Sequence, residues 1–193
     1  MTKEEKLNIT KEKLLTATMQ LMREREDPLS VTTRQIAARA DVKPSMINYC
    51  FGTRDKLLHK VFEKEYESFL IDKGVMKILE SGQPPKDILK QLHFVVAQCL
   101  LENFNFTQVI TNFVLFKRDL TEPSFSVQYV KAHYNGKKTD EECKLIAYEM
   151  STMMQLIIYR KDEIKKGFGI DLDNDDDLKH VIDMRIDLLL GGK

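Results

Sequence analysis

Cysteine, long apolar runs and net charge are all scarce or absent in this sequence of 193 residues. The cysteines are Cys50, Cys99 and Cys143, which stand far apart and form no Cys-x-x-Cys pair. This spacing argues against a disulfide framework and against a zinc site, so we interpret each cysteine as a reduced, mostly buried side chain. No apolar run reaches the ~18 residues that a membrane-spanning helix needs.

Signals for secretion and for catalysis are missing as well. The first residues, MTKEEKLNITKEK, are charged and lack an apolar signal core, so we expect a cytoplasmic protein with no membrane partner. The motifs of serine hydrolases, zinc proteases and P-loop proteins do not occur. The acidic run from Asp171 to Asp177 lacks the glycine and the glutamate of a calcium loop. The sequence therefore predicts no enzyme, no cofactor and no metal site.

The formal net charge of zero argues weakly against a nucleic-acid-binding protein, but the charges are unevenly distributed. Between Val31 and Lys60 the acidic residues are Asp41 and Asp55. The basic residues of the same stretch are Arg34, Arg39, Lys43, Arg54, Lys56 and Lys60. A basic amino-terminal part on a more acidic remainder would orient the protein toward phosphate.

The stretch 31–58 predicts two short helices joined by a tight turn, with a third helix directly after them. Thr32 is a good N-cap, and Asp41 tolerates the left-handed conformation that the turn needs. Pro44 suits the start of the second helix, and Gly52 suits its end. The outer face of this helix would carry Pro44, Ser45, Met46, Asn48 and Tyr49. From spacing alone, the unit is either a helix-turn-helix that reads DNA or an αα-hairpin within a helical bundle.

A more specific pattern covers residues 32–58. It consists of Thr32, Arg34, Ile36, Ala37, Ala40, Val42, Tyr49, Phe51, Thr53 and Leu57. This pattern resembles the amino-terminal signature of the TetR/AcrR family of bacterial transcription regulators. Three positions depart from the family pattern, since Asp41 replaces a glycine, Lys43 a serine cap, and Asn48 a tyrosine.

Helical periodicity without sustained strand alternation predicts an all-α protein of about nine helices. The resemblance implies a three-helix helix-turn-helix DNA-binding domain at residues 1–53 and a larger helical effector-binding and dimerisation domain at residues 54–193. A helix at residues 54–80 would connect them. Besides the two short helices of the hairpin, the predicted helices are 10–25, 54–80, 86–102, 106–117, 123–135, 139–165 and 175–190.

The resemblance also implies roles for individual residues. Thr33, Asn48, Tyr49 and Arg54 would contact phosphates, whereas Arg34, Pro44, Ser45 and Met46 would face base edges, and Lys43 could do either. A small molecule would be bound by Phe94, Gln98, Phe104, Phe113, Phe116, Met150, Met153 and Met154. Pairing of the last two long helices in a dimer would bury Leu145, Ile157, Val181, Ile182, Ile186 and Leu189.

The resemblance as a whole implies a sequence-specific transcription regulator, a repressor that binds a palindromic operator in double-stranded DNA as a homodimer and responds to an unknown small-molecule effector. Two alternatives stay open at this point. One is a helical small-molecule-binding protein whose DNA-binding part has lost its role. The other is an adaptor whose apolar helices bind a different protein.

Overall fold

The computed structural model describes residues 2–25, 27–121 and 124–191, and the side chains of Leu29, Asn105, Val109, Ile110, Asn112 and Phe113 fall outside that description. Its described residues form helices, turns and loops without a strand, which confirms the all-α prediction. None of the described helices is long and apolar enough to cross a bilayer. A short 3-10 helix occupies Pro28–Ser30, and the α-helices are α1 (Lys3–Arg23), α2 (Thr33–Arg39), α3 (Ser45–Phe51), α4 (Arg54–Asp72), α5 (Val75–Leu79), α6 (Pro85–Glu102), α7 (Phe104–Phe116), α8 (Ser126–Tyr134), α9 (Asp140–Tyr159), α10 (Lys161–Phe168) and α11 (Asp175–Leu190).

Helix α1 begins seven residues before the predicted start at Thr10. Thr2 caps it through a reciprocal pair of hydrogen bonds, in which the Thr2 hydroxyl accepts from the Glu5 amide and the Glu5 carboxylate accepts from the Thr2 amide. Thr10 lies inside the helix and donates its hydroxyl to the carbonyl of Lys6 at 2.9 Å. The predicted start was wrong because this earlier capping box satisfies the free amides of the first turn.

Two of the predicted long helices are each divided into two. Gly74 adopts φ 73°, a left-handed conformation that ends the run at Asp72 and allows α5 to start at Val75. Arg160, at φ −103° and ψ 26°, separates α9 from α10. These two breaks raise the number of helices in the described part above the nine predicted. The predicted helix start at Pro123 lies outside the described residues.

The chain divides into two compact units, Met1–Ser68 with Asn103–Phe116 and Phe69–Glu102 with Lys117–Lys193. The core of the first unit contains Leu14 of α1, Ile36 of α2, Ile47 of α3 and Leu57 of α4, all fully buried. The first turns of α4 therefore pack with the amino-terminal helices. The predicted domain boundary between residues 53 and 54 stays a prediction about function. The two compact units divide the chain at a different point, between Ser68 and Phe69.

In the second unit, α6 contacts α5, α8, α9 and α11. Lys86 and Lys90 of α6 both pair with Asp187 of α11, at 2.7 and 2.9 Å. The end of α11 is held from α8, where the Tyr134 hydroxyl donates to the Leu189 carbonyl and the His133 imidazole bonds the Leu190 carbonyl, each at 3.0 Å. These side chains satisfy carbonyl groups that a helix leaves unpaired at its end.

Candidate nucleic-acid interface

The start of α2 is fixed by a capping box that the sequence predicted in part. The Thr32 hydroxyl accepts from the Gln35 amide at 3.3 Å, and the Gln35 side chain accepts from the Thr32 amide at 2.9 Å. This cap sets the helix rotation, which buries Ile36 and Ala37 and leaves Arg34 exposed. Thr33, at the first helical position, is half-buried.

The turn between α2 and α3 has the predicted left-handed residue. Asp41 adopts φ 54°, and the amide of the next residue, Val42, donates to the Ala37 carbonyl at 3.0 Å. Pro44 already has helical angles and makes no side-chain cap, so α3 starts without one. The Met46 amide instead donates to the Lys43 carbonyl at 2.9 Å. The turn thus satisfies its own backbone groups and fixes the direction of α3.

Helix α3 has one inner and one outer face. Ile47 is fully buried, and Met46, Cys50 and Phe51 are half-buried. The exposed residues of the segment are Lys43, Pro44, Ser45, Asn48 and Tyr49, the last with 64% of its surface accessible. The outer face has the small, polar and aromatic groups that can enter a major groove and contact base edges or phosphates.

Helix α1 contacts both α2 and α3 and holds them in place. The Arg39 guanidinium at the end of α2 donates two hydrogen bonds to the Glu24 carboxylate just after α1, at 2.9 and 2.8 Å. Arg39 lowers the pKa of Glu24, because its hydrogen bond and its charge favour the carboxylate. Arg39 is therefore engaged in holding the hairpin.

Arg54, at the start of α4, has a structural contact that the sequence did not predict. Its Nε donates to the Val31 carbonyl at 2.6 Å, and its Nη1 lies 3.3 Å from Asp55 Oδ1. Only 24% of the side chain is exposed. Arg54 therefore attaches α4 to the segment that leads into α2, and its contact with phosphate stays a prediction.

The basic residues of the hairpin region fall into two groups. Arg39, Arg54 and Lys60 lie next to the carboxylates of Glu24, Asp55 and Glu63. Arg34, Lys43 and Lys56 are exposed, and among the described residues no carboxylate forms an ion pair with them. Lys56 was not among the residues predicted to contact DNA, although it belongs to the basic stretch between Val31 and Lys60. These three cations are therefore the ones available to contact DNA, at phosphates or at base edges.

Cys50 lies on α3 beside the outer face. Burial raises the pKa of its thiol, and the charge of Lys11 opposes that shift only in part. The thiolate is the reactive form, so this environment favours an inert cysteine. Cys99 and Cys143 are buried, as the sequence predicted. Within the described part of the chain, no three His, Cys, Asp or Glu side chains are grouped so that they could hold a metal ion.

The residues predicted to bind a small molecule are distributed over both units. Met150 and Met154 are buried in the second unit, where Phe94, Gln98 and Met153 are half-buried. The Gln98 amide donates to Asp175 at 3.1 Å. Phe104 and Phe116 belong to the first unit, Phe116 with 78% of its surface exposed. The side chain of Phe113 lies outside the described residues.

The residues predicted for the dimer interface differ in exposure. Val181, Ile182 and Ile186 are buried within the single chain, so they belong to its own core and have no surface to offer a partner. Ile157 and Leu189 are half-buried, and Leu145 is 65% exposed. The large exposed apolar and aromatic side chains of α9 and α11, which we call the outer strip, are Leu145, Tyr148, Leu156, Tyr159, Met184 and Leu188. Of the six predicted residues, Leu145 alone belongs to the outer strip, and the dimer interface itself stays a prediction.

The fold is similar to that of a TetR-like transcriptional regulator from Rhodococcus sp. RHA1, with a TM-score of 0.53. The likeness covers 95% of this chain and 97% of that one. The two sequences are 15% identical, so the likeness concerns the fold. Neither a protein-family model nor a curated protein matches the sequence. The chain therefore has a TetR-like all-α fold, in agreement with the resemblance seen in residues 32–58.

Proposed function

We propose that this chain, which has a TetR-like fold, is a sequence-specific DNA-binding transcription regulator that inserts α3 into a major groove. The observation that carries the proposal is the outer face of the hairpin. Ser45, Asn48 and Tyr49 are exposed on α3, while Ile47 on its inner face is fully buried in the core of the first unit. A rigid helix with accessible polar and aromatic groups meets the geometric needs of direct readout.

The distribution of charge supports the same proposal. Arg34, Lys43 and Lys56 are exposed at or near the amino-terminal ends of α2, α3 and α4, respectively. Contacts to phosphate position a protein on DNA, and contacts to base edges give specificity. We assign phosphate contacts to Lys43, Lys56, Thr33, Asn48 and Tyr49. Arg34, Pro44, Ser45 and Met46 are then the candidates for base contacts.

The regulator acts as a homodimer in this proposal. Helices α9 and α11 contact each other, and the outer strip exposes apolar side chains on both. Exposed apolar groups of this size mark interaction surfaces. A two-fold dimer presents two copies of α3 to a palindromic operator, whose half-sites lie about 34 Å apart. A small molecule bound by the second unit then relieves repression.

Selection of genomic fragments by the purified protein tests this proposal. We expect enrichment of a palindromic sequence and an affinity for it that falls steeply with salt. Binding of all fragments with equal affinity, or no binding, would contradict the proposal. Sequence-selective binding would also exclude the alternative in which the DNA-binding part has lost its role.

Two variants separate positioning contacts from reading contacts. Lys43→Ala should weaken binding to all fragments and reduce the slope of log K against log salt by about one. Arg34→Ala should instead relax the preference at one position of each half-site. Lys179→Ala removes an exposed lysine of α11 and serves as the control, with affinity and slope unchanged. If all three variants behave alike, the assignment of α2 and α3 to DNA is wrong.

A further inference from the structure

Among the described residues of the second unit, two buried polar atoms have no hydrogen-bond partner: Nε2 of His93 on α6 and Oγ of Ser126 on α8. His93 is 2% exposed and Ser126 is fully buried. Buried polar groups in folded proteins are almost always paired with protein or with an ordered molecule. Two unpaired groups of this kind therefore indicate a place where another hydrogen-bonding group is expected.

The two helices that carry these atoms, α6 and α8, contact each other. The ring of Phe125, the residue before Ser126, lies 5.6 Å from the His93 ring between centroids. One helical turn away from His93 and Ser126 are Leu89, Ala97 and Val130, all fully buried. The two polar groups are thus set among apolar side chains.

The hydrogen bond of the other imidazole nitrogen fixes what His93 offers. Nδ1 lies 2.9 Å from the Leu89 carbonyl, which can only accept, so Nδ1 carries the proton. Burial lowers the pKa of His93, which keeps the ring neutral. Nε2 is then a hydrogen-bond acceptor that needs an O–H or N–H donor. The Ser126 hydroxyl can donate or accept.

We propose that His93 and Ser126 together bind the hydroxyl group of a small, uncharged, largely apolar ligand, an alcohol or a phenol. The ligand O–H donates to Nε2 of His93, and its oxygen accepts from the Ser126 hydroxyl. A carboxylate is disfavoured, because it offers no proton to Nε2 and because Lys90, one turn from His93, is already paired with Asp183 and Asp187. This inference rests on the proposed function, since the ligand would be the effector of the regulator.

Phenol and toluene test the proposal as a matched pair of nearly equal volume that differs in the hydroxyl. The full-length protein, with nitrogen-15 in its histidines, is titrated with each compound while the His93 imidazole nitrogens are followed by NMR. Phenol should shift the Nε2 resonance saturably and bind about tenfold more tightly than toluene, as a difference of one good hydrogen bond would give. Equal affinities, or a His93 resonance that phenol does not move, would overturn the proposal.

Ser126→Ala and Ser151→Ala provide a matched pair of variants. The Ser151 hydroxyl already donates to the Ala147 carbonyl at 3.0 Å, so it serves as the control. Ser126→Ala should weaken phenol binding about fivefold or more without lowering the melting temperature of the unliganded protein, because it removes an unpaired group. Ser151→Ala should leave phenol affinity unchanged. If Ser126→Ala binds phenol like the wild type, the site is wrong.

The two proposals fail separately in these experiments. NMR of His93 needs no DNA, so phenol binding by a protein that selects no fragment would remove the regulator function and leave the binding site. Selective DNA binding by a protein whose His93 does not respond to phenol would remove the site and leave the regulator.

Discussion

In the turn between α2 and α3, Asp41 adopts φ 54°. This left-handed conformation costs glycine less free energy than any residue with a Cβ. Asp41→Gly relieves this strain but makes the unfolded chain more flexible, so we expect a net stabilisation of about 0.5 kcal/mol. Asp41→Ala keeps the Cβ and loses the polar side chain that tolerates the conformation. It should be about 1 kcal/mol less stable than the glycine variant.

Urea unfolding followed by circular dichroism measures both Asp41 variants. Asp41→Ala equal to or more stable than Asp41→Gly would show that the turn is not left-handed. The DNA affinity of Asp41→Gly serves as a control for the direction of α3 and should stay close to that of the wild type.

Arg54 is a second residue with a structural role, because its Nε donates to the Val31 carbonyl at 2.6 Å. Arg54→Ala removes a charged donor from a partly buried acceptor and should lower the free energy of unfolding by about 1–2 kcal/mol. Arg54→Lys should not restore this stability, since an ammonium group lacks the Nε–H geometry of a guanidinium. Lys56→Ala, an exposed position on the same helix, should change stability by less than about 0.5 kcal/mol.

Chemical denaturation of the three variants distinguishes the roles of Arg54. If Arg54→Ala is as stable as Lys56→Ala, the bond to Val31 contributes nothing in solution, and the side chain is available to phosphate instead.

Contacts between residues close together in the sequence were predictable, whereas contacts between residues far apart in the sequence were not. Thr32 and Asp41 act within three or four positions of themselves, so turn and capping preferences identified them. Arg54 bonds a carbonyl 23 positions away, and Arg39 pairs with Glu24 fifteen positions away. Those contacts follow from helix packing, which periodicity alone does not provide.

At the scale of helices, Gly74 decides whether α4 and α5 are one element or two. In a continuous helix, Gly74→Ala would stabilise the protein by about 1 kcal/mol. With φ at 73°, the same substitution should destabilise it by about 1–2 kcal/mol, because alanine resists the left-handed region.

Gly167→Ala is the control for this test. Gly167 lies inside α10 with an ordinary φ and open space at its Cβ, so alanine should stabilise the protein by about 0.5–1 kcal/mol. Differential scanning calorimetry of the two variants should therefore give melting temperatures that move in opposite directions. A rise for both would mean that α4 continues through residue 74.

Helix existence was predictable from apolar periodicity, whereas interruptions were not. The predicted bounds of α6 lie within one residue of the observed ones, and those of α11 coincide with them. In the structure, Pro85 begins α6 and the Asn174 side chain caps α11. Arg160 has no breaker character, yet α9 ends there. No residue preference in the sequence signals this break.

At the scale of the whole molecule, the outer strip is the proposed dimer surface. Leu188 is 73% exposed on α11. Leu188→Glu places a charge in the interface, so we expect a monomer and a large loss of affinity for a palindromic fragment, since two linked half-sites bind far more tightly than one. Leu120→Glu changes a leucine of similar exposure, 68%, that lies outside α9 and α11. It should leave both the dimer and DNA binding intact.

Sedimentation equilibrium over a range of protein concentrations, together with fragment binding, measures both leucine variants. A Leu188→Glu protein that is still dimeric would move the interface away from α11. A wild-type protein that is monomeric at all concentrations would remove the dimer from the proposal.

The most direct test of the central claim is a cross-link between α3 and DNA. The photoreactive residue p-benzoylphenylalanine is placed at Tyr49, which is 64% exposed, and in a second protein at Phe168 of the second unit, which is 74% exposed. After irradiation with the selected palindromic fragment, the protein labelled at position 49 should be joined to a base or sugar within a half-site, and the protein labelled at position 168 should not. Equal cross-linking from both positions, or none from position 49, would contradict the insertion of α3 into the groove.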